Sequence, residues 1–197
     1  MEQQPLGPAP PTTVVPRGPA ERRWVPAIAV VAVIFAVVFG GYVTAAALSK
    51  PAGLPVTVGG VVRISPLSGW ELARRFDDPP GIELTRGGGN LDVIAIGFAR
   101  DAASLVREFV TQVLEPGAER LSVSQQIQRI ELRSGLSAVR IFYIGVFGRG
   151  QTSIEGEVTT VVFPSGVGAV FDGWAPAGLL DYVGEDIHEM IETAEIR

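Results

Sequence analysis

Apolar and polar positions divide the chain into regions with different patterns. Residues 24–49 are mostly apolar and carry no charged side chain, which is enough length for a helix that crosses about 30 Å of hydrocarbon. From residue 61 onward, short apolar runs with alternating polar positions are separated by Gly, Pro and Ser, a pattern typical of antiparallel strands. Residues 1–23 hold six prolines and few large apolar side chains, which predicts a disordered Pro-rich tail.

The pattern after residue 60 predicts seven strands and two helices. Asp101 is a favourable N-cap for a helix over residues 102–114, and apolar side chains at helical spacing predict a terminal helix over residues 179–193. The run from Val139 to Phe147 is apolar at both alternating sets, which predicts a central strand covered on both faces. The predicted fold is α+β, an antiparallel sheet flanked by helices. The predicted strands are Val61–Ile64, Ile82–Arg86, Leu91–Ala99, Val123–Leu132, Ala138–Phe147, Ser153–Phe163 and Val167–Trp174.

The apolar region predicts one transmembrane helix in the cytoplasmic membrane, with the N-terminus inside and the C-terminal domain outside. Three basic residues closely precede the span and one follows it, and cytoplasmic flanks carry the excess of Lys and Arg. The alternative is a signal peptide cleaved near Ala47, but the apolar region exceeds the about 7–15 residues of a signal-peptide core. Residues 50–60 then form a stalk and residues 61–197 the extracytoplasmic domain. The predicted anchor flanks are Arg22, Arg23, Trp24, Tyr42 and Lys50.

Composition excludes several classes of function. The chain has no Cys, one His and a net charge of −5. The missing Cys excludes disulfides, thiol nucleophiles and Cys-ligated metals, and the single His188 excludes sites that need two imidazoles. The acidic balance argues against nucleic-acid binding. From Pro51 onward, 12 basic and 19 acidic residues leave −7 on the part predicted to be exported, which favours a partner with basic patches.

Two sets of residues are candidates for a site. Glu185, His188 and Glu189 share about one helical turn and are the candidates for an ion site, but a second Glu-x-x-His motif is absent. The favoured interpretation is the solvated face of a helix. Trp70 and Trp174 are candidates for interaction aromatics, or for core residues. The sequence therefore predicts no metal, no cofactor and no catalytic residue.

The order of motifs over residues 58–197 resembles a known family. An early strand leads into Pro66-x-x-Gly69-Trp70, a Gly-rich hairpin and one helix follow, and Gly135-x-x-Ala138 opens a long apolar strand. A hairpin and a terminal amphipathic helix complete the pattern. This arrangement is similar to the PsbP-like α/β/α sandwich family, in its membrane-anchored actinobacterial envelope type. The resemblance implies a non-enzymatic accessory or binding module and supplies no catalytic residues.

Together these features predict a membrane-anchored extracytoplasmic binding or accessory module of a cell-envelope or membrane complex, without chemistry of its own. Its expected partners are the membrane, through one span, and a protein at the membrane surface. Two alternatives stay open, an envelope hydrolase that uses exported carboxylates and a carrier for a small apolar ligand. Convergent carboxylates in a cleft would favour the hydrolase, a deep apolar cavity the carrier, and an exposed apolar patch the binding module.

Overall fold

The computed structural model describes residues 53–148 and 152–196. The predicted tail and membrane span lie outside the described residues, and so do the predicted anchor flanks Arg22, Arg23, Trp24, Tyr42 and Lys50. Within the described residues, no helix combines the length and the apolar character that crossing a bilayer requires.

The described residues form two sheets and two main helices. The strands are β1 Val56–Val58, β2 Val62–Ile64, β3 Glu71–Asp77, β4 Pro80–Arg86, β5 Gly89–Gly97, β6 Ala118–Val123, β7 Gln128–Glu131, β8 Ser137–Phe147, β9 Thr152–Val162, β10 Val167–Pro176 and β11 Glu195–Ile196. The helices are α1 Ala102–Phe109 and α2 Leu180–Glu192.

The large sheet is antiparallel, in the order β3-β4-β5-β10-β9-β8-β6, and β7 pairs with β8 beside β6. Most sheet neighbours are also neighbours along the chain, because short turns join antiparallel strands. There are two exceptions in this sheet. Strands β5 and β10 pair although α1 and strands β6 to β9 come between them in sequence, and β6 pairs with β8 although β7 comes between them. Strands β1, β2 and β11 form a small separate sheet.

Helix α1 covers one side of the large sheet, which we call the α1 face. The Asp101 carboxylate accepts the backbone N–H of Ser104 at 2.8 Å and caps the first turn. A π-helical turn over Val110–Leu114 continues the helix, and a short turn over Glu115–Gly117 leads into β6. The buried side chains of α1 are Leu105, Val106 and Phe109.

Helix α2 covers part of the opposite side, which we call the α2 face. It packs closely on β5 and β10 because glycines lie beneath it. A Cβ atom on Gly173 would lie 2.7 Å from Cγ2 of Ile187, and one on Gly89 would lie 2.8 Å from Cγ1 of Val183. Both distances are shorter than van der Waals contact, so the helix needs glycine at both positions. The buried side chains of α2 are Val183, Ile187, Met190 and Ile191.

The antiparallel sheet flanked by helices confirms the predicted fold class, but several element bounds differ. The predicted strand Val123–Leu132 is two strands, β6 and β7, because residues 124–127 leave the sheet. The predicted helix over 102–114 is α-helical only as far as Phe109. The folded domain also begins earlier than predicted, since β1 lies within the predicted stalk and pairs with β2.

Strand β8 differs from the prediction in its coverage. On the α1 face Ile141 and Tyr143 are buried, as expected for a central strand. On the α2 face only the first half of β8 is covered, because α2 lies to one side over β5 and β10. Phe142 and Ile144 are consequently 36% and 54% exposed.

Candidate functional site

The uncovered part of the α2 face is a candidate docking surface, which we call the trough. Phe142 and Ile144 of β8 lie on its floor. The α2 flank that contains His188 forms its wall, because His188 reaches down to β9. Asp181 and Glu185 precede His188 by seven and three residues, so they lie on the same flank of the helix. The trough thus combines exposed apolar side chains with a mostly acidic wall.

A buried ionic cluster lies beside the trough. Glu157 is 2% exposed, and its Oε2 lies 2.7 Å from His188 Nε2 and 3.7 Å from Arg140 Nε. Arg140 Nε also donates to the Thr159 hydroxyl at 3.1 Å. Within the described residues, Glu157 Oε1 and Arg140 Nη2 are buried without a hydrogen-bond partner. A buried carboxylate is tolerated when basic groups compensate it. The contact with Glu157 also holds the His188 side chain beside the trough.

A second buried polar cluster lies on the α1 face, behind these strands. The Tyr143 hydroxyl donates to Asp172 Oδ1 at 2.9 Å, although β9 separates the two strands. The ring lies directly over Gly156 of β9, where a Cβ atom would be only 2.3 Å from Tyr143 Cζ. Asp92 lies directly opposite Asp172 in the β5–β10 pairing, and Trp174 Nε1 donates to Asp92 Oδ2 at 3.5 Å.

Burial changes the acid–base properties of this second cluster. Removal from water raises the pKa of Asp172 to about 8, against the effect of the hydrogen bond from Tyr143. Burial, followed by the neighbouring charge of Glu83, raises the pKa of Asp92 to about 6. Burial and the charge of Asp172 also raise the pKa of Tyr143 above its usual range. In each case the protein favours the protonated form.

The three residues that were candidates for an ion site have separate surroundings. His188 contacts Glu157, and Glu189 accepts two hydrogen bonds from Arg133 at 3.1 and 2.7 Å. Glu185 is exposed. Across residues 53–148 and 152–196, no group of three or more His, Cys, Asp or Glu side chains is placed to hold an ion.

The two candidate tryptophans contribute to packing. Trp70 is 5% exposed and its Nε1 donates to Asp186 at 3.0 Å, which ties the chain before β3 to α2. It is therefore a core residue and not a surface aromatic. Trp174 is half-buried on the α1 face, where it contacts Asp92, on the side of the sheet opposite the trough.

Open clefts border α1. A cleft of about 840 Å³ lies between the first turn of α1 and the start of β8. Two smaller grooves, of about 290 and 200 Å³, run along the two sides of the helix. The acidic residues that line the cleft of about 840 Å³ are Asp101, which caps α1, and Glu131. The apolar lining of the cleft of about 840 Å³ consists of Ala102, Ala103, Ile130, Leu136, Ala138, Val139, Val162, Phe163 and Pro164.

Neither family models nor curated proteins match this chain, but solved structures do. The cyanobacterial PsbP protein CyanoP from Synechocystis sp. PCC 6803 matches with a TM-score of 0.52 and 14% identity, over 75% of this chain and 96% of that protein. The Ran-binding protein Mog1p of Saccharomyces cerevisiae matches with a TM-score of 0.50 and 11% identity, over 75% and 96%. LpqN of Mycobacterium tuberculosis, involved in cell envelope biogenesis, has a TM-score of 0.49 and 18% identity, over 74% and 85%.

The matches to CyanoP and Mog1p establish the fold. The described domain has the PsbP-like fold, which confirms that part of the resemblance seen in the sequence. At identities this low, the likeness concerns the path of the chain and leaves function to be argued from the sites.

The sequence patterns did not point to the trough or to the two buried clusters. Phe142 and Ile144 looked like core residues because every apolar position of the strand was expected to be covered. The available signals were an isolated Gly156 inside a strand and the acids Glu157 and Asp172 at otherwise apolar strand positions. A glycine in a strand interior often marks the close approach of another group.

Proposed function

We propose that this chain is a membrane-anchored extracytoplasmic binding module, and that its trough binds a basic, apolar segment of a protein partner at the membrane surface. The observation that carries the proposal is the exposure of Phe142 and Ile144 on a sheet face that α2 covers elsewhere. An exposed apolar patch with polar groups around it is a common mark of an interaction site.

The geometry of the patch suits insertion of apolar side chains from a partner. Phe142 and Ile144 are two residues apart on β8, so they point to the same side and form a continuous surface. Glu157 lies directly opposite Phe142 in the β8–β9 pairing, and its contact with His188 holds the α2 flank at the side of the patch. A partner segment would therefore meet a preformed surface.

Charge favours a partner rich in Lys or Arg. Glu155 lies directly opposite Ile144 in the β8–β9 pairing, and Asp181 and Glu185 line the wall. The predicted exported part carries −7 in total. Such a surface attracts basic segments and repels anionic lipid headgroups. The fold is compatible with this role, since the similar Mog1p is a Ran-binding protein.

The proposed anchor places the trough close to other membrane components. It rests on the uncharged region over residues 24–49 and on the basic residues before it. A tether confines the domain to a thin layer above the bilayer and raises its effective concentration toward partners there. Moderate affinity in the trough is then sufficient for stable association.

A second candidate function is the carriage of a small apolar ligand, which the apolar lining of the cleft of about 840 Å³ favours. Binding of an environment-sensitive apolar dye that is abolished by Leu136→Asp, and unaffected by Ile144→Ser, would support this carrier role. The hydrolase alternative needs two carboxylates facing a cleft, whereas the Asp101 carboxylate in this cleft is engaged in capping α1.

The proposed function is tested with the full chain, extracted from its native membrane in a mild detergent and separated by native electrophoresis. We expect the wild-type protein to migrate in a complex larger than itself. The double variant Phe142→Ser and Ile144→Ser should lose that complex, because it removes the apolar part of the trough. The matched control is Val113→Ser, since Val113 is 51% exposed on the other side of the sheet. A complex that survives the double variant and is lost in the control would contradict the proposal.

A further inference from the structure

The strongest unexplained feature outside the trough is the pair of aspartates on the α1 face. We infer that Asp92 and Asp172 share one proton, and that this proton is a pH-sensitive link between β5 and β10. The link is independent of the trough and of the proposed docking function.

Strand register places the two carboxyl groups together. Asp92 and Asp172 are directly opposed in the antiparallel β5–β10 pair, so their side chains leave the same face with Cβ atoms about 4.5–5.5 Å apart. Asp172 is 6% exposed. Asp92 Oδ1 is buried and has no hydrogen-bond partner among the described residues. Two ionised carboxylates in this position would each offer only acceptors to the other.

One proton resolves this arrangement. One oxygen of each carboxyl group already has a donor. Tyr143 donates to Asp172 Oδ1 at 2.9 Å, and Trp174 donates to Asp92 Oδ2 at 3.5 Å. We place the proton on Asp172 Oδ2, where it would make that oxygen a donor for Asp92 Oδ1, the oxygen that lacks a partner among the described residues. The unpartnered oxygen then accepts a hydrogen bond, and the pair carries one negative charge in place of two.

The charged groups around the pair favour retention of the proton. Across β3 and β4, Arg74 forms an ion pair with Glu83. The charge of Arg74 offsets part of the rise in the pKa of Asp92 but does not reverse it. Glu83 and Glu157 add negative charge near Asp92 and Asp172 respectively. From α1, Glu108 lines the adjacent groove and is itself paired with an arginine. In the described part of the chain, no salt bridge joins a basic side chain to either aspartate.

The raised pKa of the buried Asp172 determines how the stability of the folded protein depends on pH. The pKa of Asp172 is raised from 3.8 to about 8 in the folded protein. The folded state therefore holds a proton that the unfolded chain has released above pH 4. The stabilisation from this group is fully present below pH 4 and is lost as the pH rises through about 8.

The test measures thermal unfolding of the domain in the full-length protein in detergent, at pH values from 5 to 9. We expect the wild-type midpoint to fall by more than about 5 °C between pH 6 and pH 9. Asp172→Asn should flatten this dependence and be more stable than the wild type at pH 9, because an amide donates to Asp92 without ionising. Asp77→Asn is the control, since Asp77 is exposed on β3, and it should keep the wild-type slope.

Infrared spectroscopy of the wild-type protein with isotope-labelled Asp gives a second readout that does not depend on variants folding. We expect a protonated carboxyl band at pH 6.5 that disappears near pH 8. No such band, or a midpoint independent of pH in the wild type, would overturn the inference. An equal slope in Asp172→Asn would also overturn it. Greater stabilisation by added Ca²⁺ at pH 8 than by acidification would show that a cation, and not a proton, links the pair.

Discussion

Substitution of Gly156 by Ala tests the packing that brings the buried cluster of the α1 face together. The added Cβ atom would lie 2.3 Å from Cζ and 2.5 Å from the hydroxyl oxygen of Tyr143. The ring cannot stay where it is, and it is 3% exposed with no solvent to move into. Its displacement also breaks the 2.9 Å hydrogen bond to Asp172.

The expected magnitude combines three effects. Overpacking of a well-packed site costs about 1–3 kcal/mol, and a buried polar group that loses its partner costs about 1–3 kcal/mol more. Ala recovers about 0.5–1 kcal/mol relative to Gly, because it loses less backbone entropy on folding. The free energy of unfolding should therefore fall by about 3 kcal/mol, within limits of about 1–5 kcal/mol set by the three ranges. For a domain of this size, that corresponds to roughly 6–12 °C in the melting midpoint.

The assay is urea unfolding of the wild type, Gly156→Ala and a control, Gly97→Ala. Gly97 also lies in a strand, but a Cβ atom there would have no neighbour within 4 Å, so we expect a change of less than about 0.5 kcal/mol. Tyr143→Phe removes the hydroxyl alone, and its cost should be largely absent in the Gly156→Ala background, because both changes break the same hydrogen bond. A loss below about 0.5 kcal/mol for Gly156→Ala, or full additivity with Tyr143→Phe, would refute this reasoning.

Two further predictions concern the core and the anchor. Ile141→Ala should lower the free energy of unfolding by about 2–5 kcal/mol, since Ile141 is 3% exposed on an interior strand of the large sheet. Chemical denaturation measures this change, and a loss typical of a surface site would contradict the interior position of β8. For the proposed anchor, a C-terminal reporter that works only outside the cytoplasm should be active, and a reporter that works only inside should be silent. The opposite result would contradict the proposed orientation. A mature protein that starts near Ser49 and is released into solution would contradict the anchor itself.

The sequence predicts those strands in which apolar residues alternate with polar ones, the apolar residues are buried, and turn residues mark the ends of the strand. Strands β4, β5, β9 and β10 have apolar positions on a repeat of two and short turns between them. Strand β3 is joined to β4 by a short turn but lacks the apolar repeat, because it is an exposed edge strand with the sequence ELARRFD. Charged edge strands are a common protection against unwanted pairing, and their polarity makes them look like loops. The brief β1 was hidden for a different reason, since its three residues lie among Gly and Pro.

The candidate site could not be predicted, because it depends on how far one helix extends across a sheet. The apolar pattern of β8 does not distinguish a covered position from an uncovered one. Phe142 and Ile144 are exposed only because α2 follows the glycines at positions 89 and 173. The link between Tyr143 and Asp172 spans 29 residues and a whole intervening strand, so no local spacing reveals it. Gly156 becomes informative only once the strand order is known.

The central claim, that the trough binds a basic and apolar segment of a protein, is tested most directly by photo-crosslinking in intact cells. A photoreactive amino acid replaces Ile144 in one full-length variant and Val113 in the other. The account predicts a discrete protein adduct at position 144 and none at 113, and mass spectrometry should map the adduct to a segment in which Lys or Arg alternates with apolar residues. An adduct formed only at 113, an acidic partner segment, or adducts to lipid alone at position 144 would contradict it.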